Sequence, residues 1–447
     1  MVIPHQSKEV AGIHRTGGDL MAMTLMEHQK KLLKATEGRN LVAYFVDMGG
    51  GKTFIGSEKA VGFKVKILIV CQKSKIQDWI EHFKEHYPID TLTYDLTNKK
   101  DFENFINIKE PVPFIPVAII NYDLIFRRPA LKNLNDFTLM LDESSLIQNE
   151  QAKRSKFILK MHPKNIVLLS GTPTSGKYEN LWTQIHLLGW NISLDLYHRQ
   201  YVNWKKIDAG GVEIKVVDMD DPYKNVDRLK KKLREHGAVF MKTEEFGFDL
   251  PDQTFIDVKV DTSKEYKKFR KDKVVTTSDG IELVGDTSLT DLLYQRQLCG
   301  QYSQEKLKAL KDLIESTQDR LVVFYNFNEE LFLMKQLAAD LDRPTSEVNG
   351  HDKDLTAYEE QSNSITLIQY QAGAMGLNLQ KSNKIIYFTL PLSSELFEQS
   401  KKRIHRIGQN EHCFYYVMTC RNSVEEQIRQ TLEMRKDYTD ELFKEIL

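Results

Sequence analysis

The sequence predicts an α/β protein with two domains, each built on a parallel β-sheet. Short β-branched runs alternate with charged, helix-forming segments along the 447 residues, a pattern typical of β-α-β units. The runs are almost continuously apolar, as expected for strands that helices cover on both faces. A single hydrophobic core stops growing near about 250 to 300 residues, so a chain of this length is expected to contain two or three domains.

The predicted strands fall into two groups, one in each half of the chain. The first group is Leu41–Val46, Lys66–Val70, Val117–Asn121, Thr138–Leu141 and Ile166–Leu169. The second group is Leu321–Tyr325, Ile365–Gln369, Lys384–Phe388 and Phe414–Met418. From about residue 191 to residue 300, charged helical segments and turn residues replace the apolar runs. That change predicts a small helical insertion between the two sheets.

Two segments of this middle region, Asp227–His236 and Lys264–Lys273, are dense in Lys and Arg. Such a run is usually the solvated face of a helix, and the alternative is a surface that contacts nucleic acid. Lys264–Lys273 is the better candidate for contact, because Tyr266 and Phe269 give this helix one packing side.

Near the C-terminus, apolar residues recur every four positions in two successive runs, which predicts an amphipathic helix that packs on the second domain. These residues are Val424, Ile428, Leu432, Tyr438, Leu442 and Ile446.

Composition excludes several classes of protein. The chain has 62 Lys and Arg against 63 Asp and Glu, a formal net charge of −1, so it is not a polybasic nucleic-acid coat. No apolar run approaches the roughly 18 residues that a membrane span needs, and we expect a cytoplasmic protein without membrane association. The 4 cysteines lie far apart with no CxxC pair, so reduced, buried thiols are favoured over a zinc site or a disulfide framework.

The strand Leu41–Val46 runs directly into the sequence DMGGGKT, residues 47–53, and a helical segment follows. Glycines let backbone N–H groups converge on phosphate oxygens, the lysine of such a loop reaches the β- and γ-phosphates, and the hydroxyl ligates Mg²⁺. Val46 stands where the strict motif has its first glycine, so the match is to the shorter GxGKT form. The predicted ATP-binding residues here are Gly49, Gly50, Gly51, Lys52 and Thr53.

Two further loops follow predicted strands of the first group. Asp142 and Glu143 come at the carboxyl end of one strand, the edge where open α/β sheets bind ligands. Asp142 is placed to hold Mg²⁺ and Glu143 to orient or deprotonate the attacking water. The run Ser170–Thr174 follows the next strand and either links the Mg²⁺ site to a second ligand or is a plain strand-ending turn.

The segment Gln399–Gln409, QSKKRIHRIGQ, matches every defined position of the QxxxRxHRxGQ signature. Together with the three loops above, it strongly resembles the Swi/Snf-type translocase family of helicase superfamily two, over about Leu25 to Ile428. The resemblance implies two RecA-like domains in tandem with a small helical insertion. The implied boundaries are a tail at 1–20, domain 1 at 21–252 with a protrusion from about 191, a linker and protrusion at 253–300, and domain 2 at 301–447.

The resemblance also assigns roles to individual residues. Gln29 is expected to read adenine, and Arg403 and Arg406, three residues apart on one predicted helix face, to act as arginine fingers beside Gln409. The implied DNA contacts are Lys73, Ser74, Tyr122, Thr172, Gly373 and Asn378. The chain departs from the family pattern at Gln72, Ser145, Gly176, Gln369 and Ala374, and the departures at Ser145 and Gly176 put the coupling of hydrolysis to DNA binding in question.

The function implied is that of a DNA-stimulated ATP hydrolase that uses ATP and Mg²⁺ in the cleft between the domains to move along double-stranded DNA. A strand-separating DNA or RNA helicase of the same superfamily and a non-motor, ATP-gated DNA clamp are the alternatives. We expect a monomer whose compact form resembles the minimal versions carried by bacteria and their viruses. The first half of the chain, with a charge of +5 against −6 for the second, is expected to supply most DNA contacts.

Overall fold

The computed structural model describes residues 24–109, 111–208, 211–247, 249–373 and 377–444. The chain divides into two compact units, of which the first contains the chain up to residue 248 together with the segment from Asp437 onward, and the second is Asp249–Lys436. The predicted N-terminal tail at 1–20 lies outside the described residues.

The first unit is built on a seven-stranded sheet in the order β3-β4-β2-β5-β6-β1-β9, whose neighbouring strands are all parallel. Its strands are β1 (Leu41–Val46), β2 (Lys66–Cys71), β3 (Thr91–Asp95), β4 (Ile115–Asn121), β5 (Phe137–Asp142), β6 (Asn165–Ser170) and β9 (Ala238–Met241). A separate hairpin consists of β7 (Trp204–Asp208) and β8 (Glu213–Val217).

Helices cover both faces of this sheet, so the strands bury alternate side chains in two different cores. Along β1, Ala43 and Phe45 belong to one hydrophobic cluster, whereas Val42 and Tyr44 belong to the other. The helices are α1 (Glu27–Ala35), α2 (Lys52–Gly62), α3 (Ile76–His86), α4 (Lys99–Ile106), α5 (Tyr122–Ile125), α6 (Lys153–Ile158), α7 (Trp182–Leu187), α8 (Leu194–Tyr201) and α9 (Val226–Glu235).

The second unit has its own seven-stranded sheet, in the order β10-β18-β17-β13-β16-β14-β15. Only the β14–β15 pair is antiparallel. The strands are β10 (Gln253–Val260), β13 (Leu321–Tyr325), β14 (Thr345–Val348), β15 (Lys353–Asp354), β16 (Ile365–Gln369), β17 (Lys384–Tyr387) and β18 (Cys413–Cys420), and a small hairpin is formed by β11 (Val274–Thr276) and β12 (Glu282–Val284).

Helices of the second unit again lie between successive strands. They are α10 (Lys264–Asp272), α11 (Ser288–Cys299), α12 (Gln304–Glu315), α13 (Asn328–Asp340), α14 (Thr356–Glu360), α15 (Tyr370–Gly373), α16 (Ser394–Lys401) and α17 (Val424–Phe443). The predicted α/β architecture with two parallel sheets is confirmed, and each of the nine predicted strands is present with bounds that differ by at most two residues. Within the described ranges, no helix is long and apolar enough to cross a membrane.

The predicted domain boundaries need correction in the middle of the chain. Residues 253–300, predicted to be linker and protrusion, belong to the second unit, because β10 pairs with β18 over its whole length and forms the edge of the sheet. The region from about 191 is not purely helical either, since β9 pairs with β1 in the first sheet. The physical division falls at residue 248, four residues before the predicted end of domain 1.

The prediction that the C-terminal helix packs on the second domain also needs correction. The predicted amphipathic segment is one continuous helix, α17, and Val424, Ile428 and Leu432 pack in the core of the second unit as expected. Leu442 and Phe443, however, are buried in the core of the first unit. The part of the helix from Asp437 onward therefore belongs to the first unit, while Ile446 lies outside the described residues.

Candidate functional site

The loop between β1 and α2 carries the predicted phosphate-binding residues. Gly49 and Gly51 have φ values of +88° and +71°, which glycine adopts without strain. Gly50 has no room for a side chain, because a Cβ there would lie 2.6 Å from the ring of Phe246 and from the side chain of Val46. Since α2 begins immediately after Gly51, the N–H groups of its first turn point at the loop. This is the geometry of an anion-binding turn.

Lys52 brings the phosphate loop together with the turn that follows β6. Its ammonium donates a hydrogen bond to the Val46 carbonyl at 3.0 Å. A Cβ added to Gly171 would lie 3.3 Å from the Lys52 Nζ, so the Ser170–Thr174 turn passes directly beside this cation. Because β1, β6 and β5 are neighbours in one parallel sheet, the three predicted loops meet at the carboxyl edge of the sheet.

Asp142 is held at this edge by two aromatic side chains. The Trp79 indole donates to Asp142 Oδ2 at 2.9 Å, and the Tyr122 hydroxyl donates to the Asp142 carbonyl at 2.9 Å. Burial raises the pKa of the Asp142 carboxyl, and the Trp79 hydrogen bond and the positive charge of Lys52 oppose that rise. A bound divalent cation would favour the ionised carboxylate in the same sense.

Glu143 has an unusual backbone conformation for a residue with a side chain. Its φ of +55° places it in the left-handed region, which costs a residue other than glycine about 1 kcal/mol or more. The Ser170 hydroxyl donates to Glu143 Oε2 at 3.3 Å, so the carboxylate is turned toward the end of β6. Such strain is typical of residues placed for function.

A relay of hydrogen bonds joins the acidic pair to the Ser170–Thr174 turn. Ser144 Oγ donates to Gln184 Oε1 at 2.7 Å, and Gln184 Nε2 donates to the Pro173 carbonyl at 2.6 Å. Gln148 reaches the same carbonyl at 3.3 Å. The two loops are therefore joined through buried polar groups, as the interpretation of this turn as a link between two ligands requires.

The adenine side of the predicted site is formed by the start of α1. Gln29 accepts a hydrogen bond from the Met26 N–H at 2.9 Å, and its amide nitrogen lies 3.5 Å from the Gly50 carbonyl. The neighbouring His28 ring lies 3.0 Å from that carbonyl and stacks on Phe246 with ring centroids 4.8 Å apart. The structure thus places Gln29 against the phosphate loop, and its reading of adenine stays a prediction.

The predicted DNA contacts divide into exposed and buried residues. Lys73 and Ser74 are exposed on a single turn of 3₁₀ helix after β2, and Asn378 is exposed in the second unit. Tyr122 and Thr172 are only 2% and 8% exposed. The Tyr122 hydroxyl bonds to the backbone of the acidic pair, and a DNA contact by Tyr122 or Thr172 stays a prediction.

Gly373 ends α15, and residues 374–376 of the predicted AGAMGLNL loop lie outside the described residues.

In the second unit, the arginine signature does not lie on one helix face as predicted. Helix α16 ends at Lys401, and Arg403 and Arg406 lie in the irregular turns that follow. Tertiary contacts replace helical ones there: the Arg403 carbonyl accepts from the Leu379 N–H at 3.0 Å, and the His405 ring bonds to the Pro251 carbonyl at 2.8 Å. Burial lowers the pKa of the Arg406 guanidinium.

Gln409 shapes the end of this turn. Its Nε2 donates to the Ser382 carbonyl at 2.9 Å, and its Oε1 accepts from the N–H groups of Asn410 and Glu411 at 3.0 Å each. The side chain is only 5% exposed. The Gln409 amide therefore holds the backbone of this turn in place, and a catalytic role for Gln409 stays a prediction.

Three residues hold the site through contacts that the sequence does not predict. Trp79 and the Tyr122 hydroxyl fix the acidic pair, and Thr243 Oγ1 donates to the carboxylate of Asp47 at 2.8 Å. Tyr122 is predicted from the sequence only as a DNA contact and Thr243 not at all, whereas Trp79 carries a usable signal, because it is the one tryptophan on an amphipathic helix next to the predicted phosphate-loop sheet.

Such a loop, acidic pair and hydroxyl turn on one parallel sheet, with an arginine turn on a second sheet, define a helicase-like P-loop ATPase with two RecA-like domains. The SNF2-related domain model matches residues 12–304, and the model of the helicase conserved C-terminal domain matches residues 305–408. The chain belongs to the SNF2-related family.

Proteins named as an ATPase or as ATP-dependent helicases are similar to this chain. The chain is similar to the yeast protein named ISWI chromatin-remodeling complex ATPase ISW1, with 22% identity over 88% of this chain and 38% of that protein. It is also similar to two Bacillus subtilis proteins: the putative ATP-dependent helicase/translocase YwqA, with 23% identity over 89% of this chain and 46% of that protein, and the uncharacterized ATP-dependent helicase YqhH, with 22% identity over 92% and 78%. The chain thus spans less than half the length of ISW1 and YwqA.

A solved structure described as the Sulfolobus solfataricus SWI2/SNF2 ATPase core in complex with dsDNA is similar to this chain with a TM-score of 0.42. The sequence identity is 17%, and the match covers 93% of this chain and 92% of that one.

Proposed function

We propose that this protein hydrolyses ATP at the phosphate loop of its first unit and uses the reaction to move along double-stranded DNA. The observation that supports the proposal best is the meeting of Lys52, Asp142 and Glu143 at one sheet edge. These three side chains supply the charge, the metal ligand and the base that phosphoryl transfer to water requires. Membership of the SNF2-related family is the support for coupling to DNA.

The residues present fit ATP with Mg²⁺. The loop combines two glycines with positive φ, Gly49 and Gly51, with the start of α2, Thr53 lies in the first turn of that helix, and the half-buried Asp142 carboxylate is a hard oxygen ligand. Asp142 and Thr53 would hold Mg²⁺, which neutralises charge on the β- and γ-phosphate oxygens. Lys52 would leave its bond to the Val46 carbonyl to contact the same oxygens.

Glu143 would orient the attacking water and accept its proton. Its carboxylate already accepts a hydrogen bond from the Ser170 hydroxyl, which helps to fix the direction in which the carboxylate points. The left-handed backbone at Glu143 makes the turn between the end of β5 and the 3₁₀ helix that begins at Ser144. Substitution by Gln would retain this geometry and remove the base.

Arg403 and Arg406 are proposed to complete the reaction by stabilising charge on the transferring phosphate, as the family resemblance implies. An arginine finger is worth roughly 10³ to 10⁵ in rate. Arg406 suits the role because its guanidinium loses solvation in the folded unit, and an anionic ligand compensates such a loss.

Duplex DNA would be bound through its phosphates, which makes binding tolerant of sequence and sensitive to salt. Lys73, Ser74 and Asn378 are exposed and are the proposed contacts among the described residues. A monomer is the form proposed for this activity.

Two assays run side by side test the proposal against strand separation. We expect ATP-dependent displacement of a third strand from a DNA triplex, with no unwinding of a partial duplex, and neither activity in the Glu143→Gln variant. Unwinding of the partial duplex would instead establish a strand-separating helicase. ATP hydrolysis with no displacement in either assay would leave an ATP-gated clamp.

A further inference from the structure

The turn after β9 lies against the phosphate loop although about 200 residues of chain separate them. Residues Thr243–Phe246 form a short 3₁₀ helix that follows the outermost strand of the first sheet. Neither Thr243 nor Phe246 belongs to a motif of the sequence, and both are almost fully buried, at 7% and 6% exposure.

Thr243 binds the first residue of the phosphate loop. Its hydroxyl donates to Asp47 Oδ2 at 2.8 Å, and its N–H lies 3.3 Å from the same oxygen. The Asp47 N–H in turn donates to the Met241 carbonyl at 3.0 Å. Asp47 is therefore fixed through both its backbone and its side chain to the end of β9, and the direction in which the chain enters the loop is fixed with it.

Phe246 occupies the space that a side chain at Gly50 would need. A Cβ at Gly50 would lie 2.6 Å from the Phe246 Cζ. The other side of the ring stacks on His28 at an interplanar angle of 25°, and His28 contacts the Gly50 carbonyl at 3.0 Å. Phe246 thus supports the Gly50 peptide directly and, through His28, the start of α1 that carries Gln29.

We propose that Thr243 and Phe246 are positioning residues for nucleotide binding. Thr243 fixes the direction in which the chain enters the phosphate loop. Phe246 fixes the position of the Gly50 peptide and of the start of α1, where Gln29 is expected to read adenine. The inference rests on the proposed ATP site and not on movement along DNA. It makes two separate predictions, since loss of the Thr243 bond disturbs phosphate binding for every nucleotide, whereas loss of the Phe246 ring also disturbs the reading of the base.

The test measures nucleotide affinity in the full chain with a fluorescent ATP analogue, together with KM and kcat for ATP and GTP. Thr243→Val is expected to weaken ATP and GTP binding alike, by about 10- to 150-fold, the size of a lost hydrogen bond to a charged group, and Thr243→Ser to retain binding within about twofold. Phe246→Leu is expected to raise KM for ATP more than KM for GTP, so that the preference for ATP over GTP becomes smaller.

Thr91→Val is the matched control. It removes a threonine hydroxyl that donates to a backbone carbonyl, that of Tyr87, at 2.9 Å in the same unit, away from the loop. Thermal melting of each variant separates a loss of folded protein from a loss of affinity in the folded protein, and Asp47→Asn probes the Thr243 bond from its other end if Thr243→Val folds poorly.

The results distinguish this inference from the proposed function. If the unaltered protein binds ATP and all Thr243, Asp47 and Phe246 variants bind it equally well, the inference is overturned while the ATP site stands. If the unaltered protein binds no ATP, both fail. Weaker binding in Thr243→Val with recovery in Thr243→Ser supports it.

Discussion

Trp79 and Tyr122 hold the acidic pair from two elements, since Trp79 lies on α3 and Tyr122 opens α5. Their hydrogen bonds, both 2.9 Å long, fix the Asp142 carboxylate and its backbone independently. A carboxylate that serves as a metal ligand needs such outer partners to set its orientation, and removing them commonly costs 10- to 100-fold in metal affinity or activity.

Trp79→Phe is expected to raise the Mg²⁺ concentration for half-maximal ATPase several-fold, because the ring still packs but the N–H donated to Asp142 is removed. Stability should fall by about 1 to 3 kcal/mol. A Mg²⁺ titration of the ATPase and urea unfolding measure the two effects. Trp182→Phe is the control, because the Trp182 indole donates to the Ile192 carbonyl at 2.8 Å; an equal Mg²⁺ shift in both variants would contradict the role given to Trp79.

Glu330 should make the stability of the second unit depend on pH. Its buried carboxyl accepts bonds from the Asn326 N–H and the Thr389 hydroxyl, each at 2.9 Å, yet burial outweighs them and raises its pKa from 4.5 to about 7. The folded state therefore binds more protons than the unfolded state between these values, so the free energy of unfolding falls as pH rises through the window, by at most about 3 kcal/mol.

Glu330→Gln mimics the protonated carboxyl and is expected to flatten this dependence and to stabilise the protein above about pH 7. Urea unfolding at pH 5 and pH 8 measures the free energy of unfolding of the variant and of the unaltered protein, and the difference between the two proteins checks this expectation. Glu329→Gln, at an exposed neighbouring position, should leave the pH dependence unchanged. Equal pH dependence in the Glu330→Gln variant and the unaltered protein would contradict the account.

Residue type and position at a strand end were enough to predict that Lys52, Asp142 and Glu143 lie at the carboxyl edge of one sheet. The same reasoning failed for the arginine turn, since a periodicity argument assumes that a helix continues and α16 ends at Lys401. The hydrogen-bond partners of Trp79 and Thr243 could not be predicted from the sequence. Those partners lie 63 and 196 positions away, and only the folded sheet brings them together.

At the scale of elements, the strands that the sequence predicts are the central ones. Strand β1 is buried on both faces and appears as an unbroken apolar run. The outer strands carry no such signal, because β10 alternates exposed and partly buried residues along its length and β14 has only four residues. Strand β10, QTFIDVKV, mixes polar and apolar residues instead of forming an unbroken apolar run, which explains why it was predicted to be linker.

Helix α10 presents its charges to solvent. Tyr266 and Phe269 are buried in a small core of the second unit, as predicted, which leaves Lys267, Lys268 and Lys271 exposed. If this face binds DNA phosphates, changing all three to Glu should raise the duplex concentration for half-maximal ATPase. The salt slope should then fall by about 1 for each phosphate that the protein no longer neutralises.

The control for α10 is Lys308→Glu with Lys311→Glu on α12, where both lysines are also exposed. ATPase titrations with duplex DNA at several salt concentrations provide the measurement. An α10 variant that matches the control in both the half-saturating DNA concentration and the salt slope would show that the face is merely solvated.

On the scale of the whole molecule, α17 contributes to two cores. Leu432 is 1% exposed in the second unit and Leu442 is fully buried in the first. Two further contacts hold the end of the helix. Lys230 and Glu441 form an ion pair at 2.9 Å, and the Tyr178 hydroxyl donates a hydrogen bond to the Tyr438 carbonyl at 2.7 Å.

Leu442→Ala is therefore expected to destabilise the first unit by about 2 to 4 kcal/mol, and Leu432→Ala the second unit. The chain has 4 tryptophans, Trp79, Trp182, Trp190 and Trp204, all within the first unit, so tryptophan fluorescence during urea unfolding reports that unit alone. Leu442→Ala should lower the fluorescence midpoint more than Leu432→Ala does, and the reverse order would contradict the assignment of the helix end.

A net charge of −1 accords with a protein that must release and rebind DNA in each cycle, because its contacts are then local and few.

The central claim is that ATP hydrolysis at the phosphate loop is coupled to duplex DNA. The most direct test is the ATPase rate as a function of added double-stranded DNA, single-stranded DNA and RNA, in the unaltered protein and in the Lys52→Ala, Glu143→Gln and Arg406→Ala variants. Stimulation by duplex DNA above the other two, abolished in all three folded variants, is the predicted result. A rate indifferent to duplex DNA, or near-normal turnover in the Lys52→Ala or Glu143→Gln variant, would contradict it.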